Sequence, residues 1–352
     1  MLNFCYQHQV KINSNLEASY LMSEYGLLKA KTNLSLPLVS IITPSYNQGK
    51  FIRKTIESVL TQNYEKIEYW VIDGGSTDET ISILKEYESD SRFHWISESD
   101  RGQSDAINKG LARIKGEIFS WLNSDDVLVQ NALFKVVSAW MEAEQPSIIY
   151  GLARFIDECD NDLGLCPRQC PNMTLEKILA WKYHLPQPAV FAPVESVREV
   201  GGIDLSLHYA MDFDLWIKLA EKIPLKHISY NLALFRLHSA SKTFTITTSL
   251  VNDIAEVLSR AKKRGILDDK QAQSCVNLLS AKMYMEMGDF STAMVKLKSA
   301  VMINPSVTLE SATLIVRCVT RFLIGEKKWL HLRFILMSFF EANKSLRNNN
   351  WA

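Results

Sequence analysis

Two adjacent carboxylates, Asp125 and Asp126, close the segment Trp121, Leu122, Asn123, Ser124. Neighbouring carboxylates repel, so displaying both together calls for a cation beside them. Their hard oxygens suit Mg2+ or Mn2+, ions that are typically shared with substrate phosphates. The competing reading of Ser-Asp-Asp is a turn that caps the next helix. Polar groups punctuate the earlier chain in the same way: Tyr46 and Asn47, then Asp73, then Glu98 and Asp100. Further on, Asp212 and Asp214 stand two apart in an apolar stretch, and Arg236 and His238 flank Leu237.

The elements that must position these groups are legible as strands and helices in alternation. Residues 38–43 form a β-branched run, followed by Phe51, Ile52, Ile56, Val59 and Leu60 at helical spacing. Residues 67–72 predict a second strand, with Asp73, Gly74 and Gly75 as the turn beyond it. Ser76 and Glu79 fit a capping box for a helix reaching Tyr87. Strands follow at 93–97, 117–122 and 147–150, with helices at 104–115 and 131–143 between them. Such alternation predicts βαβ units and an α/β fold built on a mainly parallel sheet flanked by helices. The polar groups fall just past the strand C-termini, the edge at which open α/β sheets bind ligands.

Residues 152–173 read as an irregular insertion with three cysteines. A short helix at 174–181, a strand at 187–192 and a helix at 194–200 that stops at Gly201 and Gly202 come next. An amphipathic helix at 211–221 and a last strand at 225–237 complete the α/β part. Beyond about Thr248 the pattern is wholly helical, over 249–264, 269–287, 290–302, 308–324 and 327–345. Ala281, Tyr284, Gly288, Asp289, Phe290, Ala293, Leu297, Ala300, Asn304 and Pro305 resemble one tetratricopeptide-type helix pair. The expected organisation is an N-terminal arm at 1–36, an α/β domain at 37–245 and a helical extension at 246–352.

Composition narrows the class. In 352 residues, 39 Lys and Arg balance 39 Asp and Glu, so a global basic field for nucleic acid is absent. No run of about 18 apolar residues predicts a membrane span. The first residues lack the basic-then-apolar pattern of a secretory leader. Six cysteines (Cys5, Cys159, Cys166, Cys170, Cys275, Cys318) suit free thiols in a reducing compartment, and a cytoplasmic location is expected. Cys159, Cys166 and Cys170 with His184 lack the paired spacing of a zinc knuckle. Neither G-x-G-x-x-G nor G-x-x-x-x-G-K-[ST] occurs, which disfavours a dinucleotide enzyme or a P-loop NTPase.

Six segments together resemble the family 2 glycosyltransferases of GT-A fold. They are Val39 to Asn47 (VSIITPSYN), Val71 to Asp78 (VIDGGSTD), Asp105 to Gly110 (DAINKG), Trp121 to Asp126 (WLNSDD), Met211 to Leu219 (MDFDLWIKL) and Phe235 to His238 (FRLH). They follow the family's order and spacing over about residues 37 to 243.

The resemblance implies that Pro44, Tyr46 and Asn47 line a nucleotide pocket and that Asp73 binds the base edge. Asp105 would contact the donor. Asn123 stands where the family often has the first acid of D-x-D; its amide can reach a ribose hydroxyl without adding charge. Metal ligation then rests on Asp125, with Asp126 as second candidate and His238 as a further ligand. Arg236 would lie near the donor's diphosphate and stabilise its departure. Asp212 matches the family's general base. On a helix Asp212 and Asp214 point about 200° apart, so one alone faces a cleft, and the apolar side marked by Leu215, Trp216 and Leu219 favours Asp212.

The implied reaction moves a sugar with inversion from a nucleotide-sugar donor to an acceptor hydroxyl, with Mg2+ or Mn2+, in polysaccharide or glycolipid assembly. The acceptor would be a saccharide or a lipid-linked saccharide. Residues 314–340 mix aromatics, Leu, Ile and Arg, a pattern suited either to packing among tail helices or to peripheral contact at the inner face of a membrane. Two other classes compete: a nucleotidyltransferase acting on a sugar phosphate, and a non-catalytic binding module.

Overall fold

The computed structural model describes residues 36–180, 183–238, 241 and 247–307. The chain divides into two compact units, Met1–Thr245 and Ile246–Ala352. The expected arm, apart from Leu36, and the last two expected helices lie outside the described residues.

In the first unit, β1 (Val39–Ser45), β2 (Ile67–Asp73), β3 (Phe93–Ser97) and β4 (Ile118–Trp121) are parallel neighbours in the spatial order β3-β2-β1-β4. β1 and β4 are buried throughout, as continuous apolar runs covered on both faces must be. The intervening helices are α1 (Gly49–Leu60), α2 (Thr80–Lys85) and α3 (Gln103–Leu111). α3 lies close on β1 because residue 110 is glycine: a Cβ there would meet Ile42 at 2.7 Å. The chain leaves β1 toward β2 on one side and reaches β4 on the other, so a topological switch point opens between their C-termini.

The second half of the sheet departs from the expected parallel pattern. After β5 (Val127–Leu128) and α4 (Ala132–Met141), the predicted short strand at 147–150 is the nine-residue β6 (Ile148–Ile156). It pairs antiparallel with β7 (Asp162–Leu165), so the expected irregular insertion begins as a hairpin. The hairpin tip explains the misreading: Asp157, Cys159, Asp160 and Asn161 are turn formers that mask two half-buried strands. α5 (Leu175–Leu179), a 3-10 turn (Gln187–Ala189), β8 (Val190–Pro193), α6 (Val194–Glu199), α7 (Met211–Ala220) and β9 (Leu225–Arg236) follow. β8 runs antiparallel to β4 and β6, while β9 lies parallel to β6 and antiparallel to β5.

The expected Ser76–Glu79 capping box does not form. Asp78 instead accepts the N–H groups of Thr80 (3.0 Å) and Gly49 (2.9 Å), tying the starts of α1 and α2 together.

The second unit holds α8 (Thr248–Lys263), α9 (Asp269–Glu286) and α10 (Phe290–Ile303). Leu278, Ala281, Met285, Ala293, Leu297 and Ala300 pack α9 against α10. Gly288, with φ of 80°, makes the turn, and Asp289 caps α10 through the Thr292 N–H at 3.0 Å.

Candidate functional site

The C-terminal row of the parallel strands brings Ser45, Asp73 and Ser97 into register. Asp73 is wholly buried and accepts four hydrogen bonds: from the N–H groups of Gly75 (3.0 Å) and Ser76 (2.8 Å) and the hydroxyls of Ser76 (2.5 Å) and Ser97 (2.7 Å). Three of these donors meet Oδ2 and one meets Oδ1, which keeps a lone pair. Asp73 thus builds the turn after β2, a role compatible with the expected contact to a base edge. Pro44 is buried within β1, and Asn47, at φ of 52°, spends its amide oxygen on the Thr77 N–H (2.8 Å). Tyr46, 60% exposed, presents its ring at this edge.

β4 delivers the acidic pair in two directions. Asp126 is 1% exposed and turned inward. Its Oδ1 accepts the Arg236 N–H (2.9 Å) and its Oδ2 the amide of Asn123 (3.1 Å). Burial, and then the charge of Asp125, push its carboxyl well above the usual range. Asp126 thus joins β4 to the end of β9 and is the less accessible of the two candidate metal ligands. Asp125 is the more accessible of the two, its side chain 20% exposed, and its Oδ2 lies 2.9 Å from Nε2 of the largely buried His238. The intervening loop is pinned from beneath by buried Thr55 of α1, whose hydroxyl donates to the carbonyls of Ser124 (2.9 Å) and Asp126 (2.8 Å).

Asp125 and His238 offer one carboxylate oxygen and one imidazole nitrogen. Among the described residues no group of three His, Cys, Asp or Glu side chains could hold an ion alone. The pair therefore fits an ion such as Mg2+ or Mn2+, which keeps waters and takes further oxygens from substrate phosphates.

Arg236 is buried at the end of β9, its side chain 1% exposed, and its Nη2 has no hydrogen-bond partner among the described residues. It donates to the carbonyls of Asp125 and Asp157 (both 2.8 Å), pairs with Asp160 (2.6 Å) and lies 5.0 Å from the ring centroid of Phe51. It fastens the β6–β7 tip to the Asp125 loop. Asp105 likewise accepts from Arg101 through both backbone (3.1 Å) and guanidinium (3.0 Å), and the guanidinium holds its carboxyl below the usual range. That arrangement organises the start of α3, with one donor on each carboxylate oxygen of Asp105.

α7 separates its two acids. Asp214 is 2% exposed and paired with Lys218 at 2.9 Å. Asp212 is half-buried on the first turn, its Oδ1 accepting the Phe213 N–H (2.8 Å), and no cation reaches it among the described residues. Burial raises its carboxyl to about 6. One helical turn on, Trp216 stacks on Trp121 at 5.3 Å and 17°, joining α7 to the strand that carries Asp125.

Charge-based reading passes over the neutral residues that connect these parts. Gln103, the first residue of α3, donates to the Asn123 oxygen (2.7 Å), and the adjacent Ser104 hydroxyl contacts the Met211 sulfur (2.9 Å). Gln187 accepts from Asn123 (3.1 Å) and donates to the Trp121 carbonyl (2.6 Å). Both N–H groups of the Asn123 amide are thereby engaged, while its oxygen, which accepts from Gln103, keeps a second lone pair for the expected ribose contact. The start of α3 thus touches both the β4 loop that bears Asp125 and the turn of α7 that bears Asp212.

Comparison with known proteins agrees with this architecture. Residues 40–191 match the model of glycosyl transferase family 2. A protein named as an uncharacterised glycosyltransferase from Rickettsia prowazekii is 30% identical over 226 residues, covering 62% of this chain and 70% of its own. One from Rickettsia felis is 32% identical over 216 residues, 59% of this chain, and the match spans only 35% of that longer protein. The solved mannosyltransferase from Pyrobaculum calidifontis, in complex with GDP-Man and Mn2+, superimposes with a TM-score of 0.54 at 17% identity over 96% of both chains. The GT-A type sheet, the matched segment and a relative covered over 70% of its length establish that this chain belongs to glycosyl transferase family 2.

Proposed function

We propose that the chain transfers a sugar from a nucleoside-diphosphate donor to an acceptor hydroxyl with inversion at the anomeric carbon. One observation carries this reading: the Asp125–His238 pair and the half-buried Asp212 belong to two segments that the first turn of α3 holds together. The donor's diphosphate lies against Asp125 and His238, with the nucleoside toward the exposed Tyr46 ring. A Mg2+ or Mn2+ ion held there would neutralise charge on the leaving diphosphate; the Pyrobaculum neighbour carries Mn2+ and GDP-Man.

The acceptor oxygen attacks the anomeric carbon from the side opposite the diphosphate. The new C–O bond forms as the bond to the phosphate oxygen breaks, and the electron pair leaves with the nucleoside diphosphate. Asp212 takes the acceptor proton. A carboxylate titrating near 6 is a stronger base than an ordinary one and is still ionised at neutral pH. Chain assembly of polysaccharide or glycolipid, on a saccharide or lipid-linked acceptor, is the role we assign to this reaction. No described helix is long and apolar enough to cross a membrane. We read the enzyme as working in the cytoplasm, with the helical unit available for peripheral membrane contact.

The test is a panel of UDP- and GDP-sugars assayed with Mg2+, Mn2+ or chelator. Metal-dependent release of nucleoside diphosphate supports the reading. Pyrophosphate release from a nucleoside triphosphate and a sugar phosphate would favour the nucleotidyltransferase class instead.

A further inference from the structure

The acid that the family often carries at the first position of D-x-D is an amide here, and the hydrogen bonds around it give a reason. The backbone carbonyl of Trp121 can only accept, so the Gln187 side chain must turn Nε2 toward it (2.6 Å) and Oε1 toward Asn123. Asp126, with one oxygen held by the Arg236 N–H, offers its other oxygen to the same atom. Two acceptors therefore converge on residue 123, each at 3.1 Å. Gln187 Oε1 has no proton to give, so a side chain with a donor there, and an acceptor for Gln103 on its other branch, suits these neighbours. The orientation of every amide in this chain of contacts follows from one backbone carbonyl rather than from an arbitrary choice.

We infer that Asn123 is a positioning residue that works because it is an amide: it sets the spacing between the Asp125 loop and the first turn of α3, and an acid at this position would damage the site. The inference rests on the proposed glycosyl transfer, because Gln103 leads through Ser104 to Met211 and so to the turn bearing Asp212. Asn123→Asp sets an oxygen against Gln187 Oε1 and adds a third carboxylate beside Asp125 and Asp126. Gln187 cannot turn to compensate without losing the Trp121 carbonyl. The exchange Asn123→Asp with Asp126→Asn reverses the polarity of one contact. The new amide at position 126 donates to the new carboxylate at position 123 and still accepts the Arg236 N–H.

The experiment compares the full-length wild type, the single variant and the double exchange by two readouts. One is steady-state release of nucleoside diphosphate from the best sugar nucleotide of the panel, split into kcat and donor KM. The other is the melting temperature in chelator without nucleotide. Asn123→Asp is expected to lower kcat by about ten- to a hundred-fold, with a smaller change in donor KM, and to lower the melting temperature. The double exchange is expected to recover part of both losses. A single variant as active and as stable as wild type, or a double exchange no better than the single, overturns the inference. Absence of sugar-nucleotide turnover by the wild type would instead defeat the proposed function, and the melting-temperature ordering would still decide the role of the amide.

Discussion

Asp73 and Asp125 both follow a central parallel strand, yet they are used in opposite ways. Asp73 is wholly buried and holds four donors, while Asp125 keeps a fifth of its side chain exposed and meets His238. α7 repeats the contrast within one helical turn: Asp214 is sealed and paired with Lys218, and Asp212 is half-buried with no cation against it among the described residues. A carboxylate at a strand or helix end is thus not by itself a reactive group. What separates the two kinds is how many of its lone pairs the fold has already engaged.

This contrast can be broken by substitutions that keep shape and remove charge. The largest effect is expected at Asp212. Asp212→Asn should reduce turnover by about 10²- to 10⁴-fold, the usual contribution of a positioned base. The same change should raise stability at neutral pH. The folded carboxyl titrates near 6 rather than near the ordinary value of about 4. A favourable contribution present below about pH 4 is therefore lost as pH rises through 6, and the ionised group then bears the burial cost. Removing it is worth about 2 kcal/mol at pH 7, after allowance for its partial exposure, and is read as a higher melting temperature. Wild-type turnover should in turn fall below about pH 6 as the base is protonated.

Asp125→Asn comes next. It should weaken donor turnover by about 100-fold, raise the metal concentration needed for half-maximal rate and leave the melting temperature nearly unchanged. Asp73→Asn gives the reverse and the smallest catalytic change. An amide there meets at least one of the four donors with an N–H, costing about 1–3 kcal/mol in chemical denaturation. If Asp73→Asn spared stability and abolished nucleotide binding instead, the division between engaged and available carboxylates would be wrong.

The parallel half of the fold was open to sequence reading because its largely buried strands are rich in β-branched and aromatic residues, as in residues 39–43 and 67–72. The β6–β7 hairpin escaped because its half-buried second strand and turn-rich tip lack that signature. Within the site, residue type and order identified the pair Asp125 and His238 and the choice of Asp212 over Asp214 as candidates. It did not separate Asp125 from Asp126, because the distinction lies in a contact with the Arg236 backbone 110 positions away. Arg236 itself carries the charge expected of a phosphate ligand, and its burial against Asp157, Asp160 and Phe51 is visible only in the fold. Gln103 and Gln187 bear no charge and belong to no motif, so nothing but geometry marks them.

The account turns on Asp212 acting on the acceptor while Asp125 and His238 act on the donor. Calorimetric titration of UDP or GDP with Mn2+ into Asp212→Asn, beside its turnover assay, separates the two. Nucleoside-diphosphate affinity equal to wild type with turnover abolished is the predicted result; turnover close to wild type would contradict it.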